Sequence, residues 1–176
     1  MPLRNGAAAK PPALKLDEYL PYLVNRVGTI IADQFGAEAL APYRLSIAMW
    51  RVMAVLASNG GRRQIDLADL TSIDASTLSR LVTRLARTGL VTRARSASSN
   101  REVVVNLTAK GRMIVGRLIP IAREYEKAAT AGLTASELAV LKGCLRRVYG
   151  NMRSRPAAAA ASRSPARTAE AWSAGS

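Results

Sequence analysis

The chain has 176 residues, 49% of them apolar, and a formal charge of +14 from 26 Lys and Arg against 12 Asp and Glu, a length that supports one domain with its own core. No His and a single Cys exclude His-based triads, His or multi-Cys zinc sites and His-ligated haem, so no catalytic centre, metal or cofactor is expected. The charge excess makes a polyanion the first partner to consider, nucleic acid before an anionic membrane.

Composition divides the chain into three. Residues 1–16 are rich in Ala, Pro and Lys, and residues 153–176 in Ala, Ser, Arg and Pro. Both have too few large apolar side chains to offset the entropy of ordering, and both read as flexible tails. Arg4, Lys10 and Lys15 give the first tail +3, and four Arg against Glu170 give the second +3, leaving +8 for residues 17–152. No stretch approaches the ~20 apolar residues of a membrane span. The N-terminus has no secretory signal pattern, so a cytoplasmic, nucleoid-associated location is expected, and an unpaired Cys suits it.

Within 17–152, Asp17 is a candidate N-cap for a helix with Leu20, Leu23, Val24, Val27, Ile30 and Ile31 on one face, and Pro21 falls in its first turn. A second helix is predicted from Ile47 to Ser58, capped by Ser46 and ended by Gly60-Gly61. Two short helices follow, Leu67 to Ser72 and Ala75 to Thr88. Asp74 caps the second and Gly89 stops it. In that second helix Leu78, Leu81, Val82 and Leu85 form a buried stripe. Ser76, Thr77, Ser79, Arg80, Thr83, Arg84 and Arg87 occupy the remaining surface, which carries no carboxylate.

Leu90–Arg95 and Glu102–Leu107 read as strands, with a polar tip over residues 96–101. Thr108 then opens a long helix to Ala129, kinked at Pro120. Thr134-Ala135-Ser136-Glu137 is a capping box for a last helix with Leu138, Leu141, Leu145, Val148 and Met152 on one face. The class is therefore mainly α with a small β-hairpin wing, the long helices coming from both chain ends.

A helix pair followed by a basic hairpin is the winged helix-turn-helix pattern, in which the second helix enters the major groove of double-stranded DNA. Residues 62–101 carry eight Arg against three Asp, an excess that phosphates would neutralise with release of counterions. A solvated helix face beside a plain turn is the bland alternative.

These residues resemble the MarR family of bacterial transcriptional regulators. The resemblance is carried by Leu67-Ala68-Asp69-Leu70, the run Asp74 to Val82, Leu85 to Arg93, and Val105-Asn106-Leu107-Thr108-Ala109-Lys110-Gly111, with Trp50-Arg51-Val52 and Leu133 to Glu137 on the flanks, and covers roughly residues 17–152. It implies a DNA-binding lobe over about 45–108, and a homodimer formed through the first and last helices. It also implies a repressor of a pseudo-palindromic operator with half-sites about one helical turn, or ~10 base pairs, apart. Ser76, Thr77, Ser79, Arg80, Thr83 and Arg84 are the groove candidates, and Arg93, Arg95 and Arg101 the backbone or minor-groove candidates. Arg87 is read as a solvated side chain. Where the family places an Asp two residues before the wing Arg, this chain has Ser99, so the wing is expected to be looser, or Arg101 to be oriented by hydrogen bonds from Ser98, Ser99 or Asn100.

The resemblance also implies release from DNA by a small aromatic acid or its coenzyme A thioester, with Tyr22, Arg26, Tyr43, Arg44 and Trp50 as candidate lining residues. Tyr and Trp at helical spacing equally suit a core. Oxidation of Cys144 is the rival switch, although its apolar neighbours Leu141, Leu145 and Val148 favour a buried structural thiol. A nonspecific DNA-coating protein is the alternative function. An enzyme ranks last, since Asp17, Glu18 and Asp33 have no convergent nucleophile and base.

Overall fold

The computed structural model describes residues 13–96 and 99–155, with the backbone alone at 95, 96 and 99–101. The expected tails lie almost wholly outside the described residues. The described residues divide into two compact units, with the boundary between Ala129 and Thr130.

In the first unit, α1 (Leu20–Phe35) starts later than Asp17 predicts. Its N-cap is Tyr19, which makes no side-chain cap bond, and Asp17 lies in a preceding turn closed by Glu18 and Tyr19 amides. Pro21 explains the shift. With Asp17 as N-cap, Pro21 would occupy the fourth helical position, where its missing N–H would delete the first intrahelical bond; the observed start places it among donors that have no helical partner. Leu20, Leu23, Val24, Val27 and Ile30 remain exposed along one face.

From Gly36 to Tyr43 the backbone takes a π turn and then a 3-10 turn, a segment for which the sequence pattern predicts nothing regular. It buries Ala39 and Leu40. α2 (Ile47–Asn59) begins where Ser46 predicts, the hydroxyl accepting from the Met49 amide, and ends at Gly60 with φ 71°.

A two-residue strand, β1 (Arg62–Arg63), precedes α3 (Gln64–Thr71), which therefore starts three residues before the predicted Leu67. β1 is too short for a period-2 signal. The turn between helices runs through Ser72 in the left-handed region at φ 56° and returns to extended backbone at Asp74, which caps α4 (Ala75–Arg87) by accepting from the Thr77 amide. Leu78, Val82 and Leu85 are fully buried. Each contributes about 1.5–3 kcal/mol of apolar transfer, which fixes the opposite polar face outward.

β2 (Val91–Ser96) and β3 (Ser99–Leu107) form the hairpin, with strand order β1-β3-β2. β2 begins and ends one residue later than the predicted Leu90–Arg95, and β3 begins three residues before the predicted Glu102; residues 97 and 98 of the expected tip lie outside the described residues. α5 (Ala109–Ala129) continues through Pro120. Its N-terminus is tied to the end of α4 by Thr108, whose hydroxyl donates to the Gly89 carbonyl at 2.7 Å and accepts from the Gly111 amide at 3.0 Å. Gly111 is required there, because a Cβ would lie 2.1 Å from the Leu90 carbonyl oxygen. Phe35, Leu40, Met49, Val52, Met53, Leu67, Val105, Val115 and Leu118 join the α4 stripe in one core.

The second unit holds α6 (Ala135–Arg153). Its capping box is complete, with both the Thr134 and Glu137 halves made. Contacts with Thr134 hold the Glu137 carboxyl below the usual range. No residue of α6 is buried, and Leu141, Leu145, Val148 and Met152 are exposed. No single helix among the described residues is long and apolar enough to cross a membrane.

Candidate nucleic-acid interface

The polar surface of α4 is built from its cap outward. Asp74 Oδ1 accepts from the Thr77 amide at 2.9 Å and from the Ser76 hydroxyl at 2.7 Å, and these bonds hold its carboxyl far below the usual range. The Ser76 and Asp74 groups thus satisfy each other at the helix start. One turn on, Arg80 Nη2 donates to Thr77 Oγ1 at 3.2 Å, which aligns the guanidinium along the helix.

Ser79, Arg80, Thr83, Arg84 and Arg87 together line one concavity of about 310 Å³. Helical spacing explains this: Ser79, Thr83 and Arg87 are four apart, as are Arg80 and Arg84, so the two rows lie side by side. Arg87, expected on this polar surface as a solvated side chain, is exposed and lines the same concavity as the groove candidates. Arg80, Arg84 and Arg87 are exposed, with no acidic partner among the ion pairs of the described side chains.

Arg93 connects the hairpin to this surface, its Nη1 donating to Thr83 Oγ1 at 3.1 Å. Thr83 in turn donates to the Ser79 carbonyl at 2.8 Å. The side chains of Arg95, Ser99 and Arg101 lie outside the described residues, so the hairpin contributes Arg93 alone to the described geometry. Three exposed guanidiniums on a helix and a fourth on the adjoining strand make a surface suited to phosphate and base-edge oxygens and nitrogens.

The five candidate effector residues are not brought together. Arg26 lies over the Tyr22 ring at 5.7 Å on α1. Trp50 packs on Phe35 at 5.6 Å between ring centres, and Phe35 meets Tyr125 edge-on at 5.4 Å. Tyr125 donates to the Glu38 carboxylate, tying the π turn to α5. Tyr43 and Arg44 do line a common cavity of about 310 Å³, with Pro42, Thr88, Leu90, Lys110 and Ile114. Lys110 is the residue the sequence reading missed; spacing gives no sign that the start of α5 meets the 36–43 segment. Its Nζ donates to the Thr88 carbonyl at 3.2 Å, at the C-terminal end of α4.

Cys144 is half-buried in α6 rather than buried. Arg147 Nη2 lies 3.5 Å from its sulfur.

Residues 45–102 match a family model described as the MarR family. An HTH-type transcriptional repressor of Mycobacterium tuberculosis is 29% identical over 132 residues, spanning 75% of this chain and 94% of the relative. A MarR family regulator structure from Silicibacter pomeroyi superposes with a TM-score of 0.72 at 29% identity, covering 82% of this chain and 99% of that one. A variant of Escherichia coli MarR in complex with operator DNA gives 0.68 at 25% identity, covering 77% and 99%.

Proposed function

We propose that this chain, which belongs to the MarR family of winged helix-turn-helix regulators, is a transcriptional repressor that binds a pseudo-palindromic operator as a homodimer and is released by a small aromatic acid. The observation that carries the reading is the α4 face, where Ser79, Arg80, Thr83, Arg84 and Arg87 form one basic surface beside Arg93. Arg80 and Arg84 reach base edges, the hydroxyls near Asp74 position phosphate, and Arg93 contacts the backbone. Arg95 and Arg101 extend the same contact from the wing.

The homodimer reading is supported by exposed apolar rows. Leu20, Leu23, Val24, Val27 and Ile30 on α1, and Leu141, Leu145, Val148 and Met152 on α6, are each uncovered. Rows of that extent at both chain ends call for a second copy. Two copies place two α4 helices for successive major-groove faces.

The effector reading is supported by the Tyr43–Arg44 cavity. Its lining has two cations, Arg44 and Lys110, one aromatic ring and no carboxylate, a composition suited to an apolar ring carrying an acid group. A volume of about 310 Å³ accommodates one ring and its substituents, so the free acid is favoured over the much larger coenzyme A thioester. A ligand carboxylate that draws the Lys110 ammonium from the Thr88 carbonyl loosens the last turn of α4, the turn that carries Arg84 and Arg87.

The test is operator binding by Arg80→Ala and Arg84→Ala. Each is expected to weaken binding at least fivefold, as loss of a bidentate base contact of about 1–3 kcal/mol implies, with the dimer intact. Unchanged affinity in both removes α4 from the groove.

A further inference from the structure

At the position where the family pattern has an Asp, this chain has Ser99, and the root of the wing is held by its own set of charges. Arg63, in β1, forks onto Asp66 in the first turn of α3: Nε donates to Oδ2 and Nη2 to Oδ1, both at 2.9 Å. Its remaining terminal nitrogen, Nη1, donates to Glu102 Oε1 in β3 at 2.9 Å. One guanidinium thus joins the first helix of the helix-turn-helix to the central strand of the wing across 39 residues of sequence. The hydrogen bonds Arg63 donates to Asp66 first, and to Glu102 second, raise the Arg63 pKa, and Arg63 lowers that of Asp66.

We propose that Arg63 and Glu102 are positioning residues for DNA binding, a brace that sets the wing relative to α3 and so fixes the distance between its phosphate contacts and α4. The proposal rests on the reading of α4 and the wing as the DNA face. Charge alone gives no reason for a carboxylate at Glu102, since an anion beside a DNA-binding hairpin repels phosphate. The geometry supplies the reason. The Arg63 side chain is 48% exposed, but a planar guanidinium with both edges occupied by carboxylates from two elements has less rotational freedom than one held in a single ion pair. β1 adds backbone pairing at the same place, Arg63 facing Val104, and on the opposite side Arg93 ties β2 to Thr83 of α4. The wing is therefore held to both helices by arginines.

The sign of one substitution separates the brace from a surface carboxylate. A duplex is selected by the unsubstituted chain from a randomised pool, and binding of the chain, Glu102→Gln and Arg63→Met is measured across a salt series, beside a scrambled duplex. Glu102→Gln removes a negative charge, so simple electrostatics predicts tighter binding to both duplexes. The brace predicts binding to the selected duplex about fivefold weaker, with the dependence of log K on log salt shallower by about 1 to 2 as wing phosphates are lost. Arg63→Met in the Glu102→Gln background is expected to add little, because the two substitutions break one unit. Thermal unfolding and dimer assembly are expected to stay unchanged for Glu102→Gln. Binding equal to or tighter than that of the unsubstituted chain overturns the brace. Failure of the unsubstituted chain to prefer any selected duplex overturns the DNA-reading assignment, and the brace with it.

Discussion

Lys110 Nζ donates to the carbonyl of Thr88 at 3.2 Å, so the first turn of α5 grips the last turn of α4 at the wall of the Tyr43–Arg44 cavity. An ammonium at a helix C-terminus also opposes the negative end of the helix dipole. Lys110→Met is expected to bind operator a few-fold more weakly than the unsubstituted chain and to respond less to benzoate or salicylate, because the contact a ligand would break is already absent. Fluorescence anisotropy of labelled operator, with the acid at saturation by calorimetry, checks this. Equal release of both proteins would leave Lys110 out of the coupling.

Arg87 shares the α4 concavity with Arg84, and as the most C-terminal of the series it is expected to meet phosphate rather than a base. Arg87→Ala is expected to weaken selected and random duplexes by a similar factor and to reduce the salt slope by about 1 per DNA-bound subunit. Gel-shift titrations at three salt concentrations measure both. A loss confined to the selected sequence would make Arg87 a base reader.

Ser72 holds the left-handed conformation at the turn between α3 and α4. That conformation costs an L-residue about 1–2 kcal/mol, against the 0.5–1 kcal/mol that glycine loses in entropy on folding. A glycine there would relieve that strain but give up the interaction Ser72 makes, so the backbone is tested instead at Gly111→Ala, read from urea unfolding. Its Cβ would meet the Leu90 carbonyl at 2.1 Å, and a loss of about 2–4 kcal/mol follows from the displaced backbone.

Asp74 has a carboxyl pKa depressed in the folded chain by the Thr77 amide and the Ser76 hydroxyl. A depressed carboxyl contributes stability above its unfolded value of about 3.9, and loses that contribution as pH falls toward the folded value. Asp74→Asn keeps a good N-cap without a titrating group. Stability near pH 7 is expected to change little, while the fall in stability below about pH 5 becomes shallower. Thermal melts from pH 7 to pH 2 make the comparison, and parallel curves for the two proteins would remove Asp74 from the acid transition.

Much of this molecule was legible before any coordinates. Ser46, Asp74 and the Thr134–Glu137 box announce helix starts because caps are local in sequence, and the Leu78, Val82 and Leu85 stripe fixes which face of α4 points outward. The start of α1 was misplaced because Asp17 and Pro21 compete, and the missing proline donor decides the outcome. The 36–43 segment and β1 were not legible, since a π turn has no hydrophobic period and a two-residue strand is defined only by its partner in β3. The pairings of Arg63 with Glu102 and of Lys110 with Thr88 are not legible for a related reason: the partners lie 39 and 22 residues apart in sequence.

Selection of duplexes from a randomised pool by the purified chain, followed by titration of the winner and a scrambled control from low to high salt, tests the central claim most directly. A two-fold motif with half-sites ~10 base pairs apart, preferred at least a hundredfold and still preferred at high salt, is the predicted result. No enriched motif, with all duplexes released together as salt rises, would contradict sequence reading and leave a protein that coats DNA by charge.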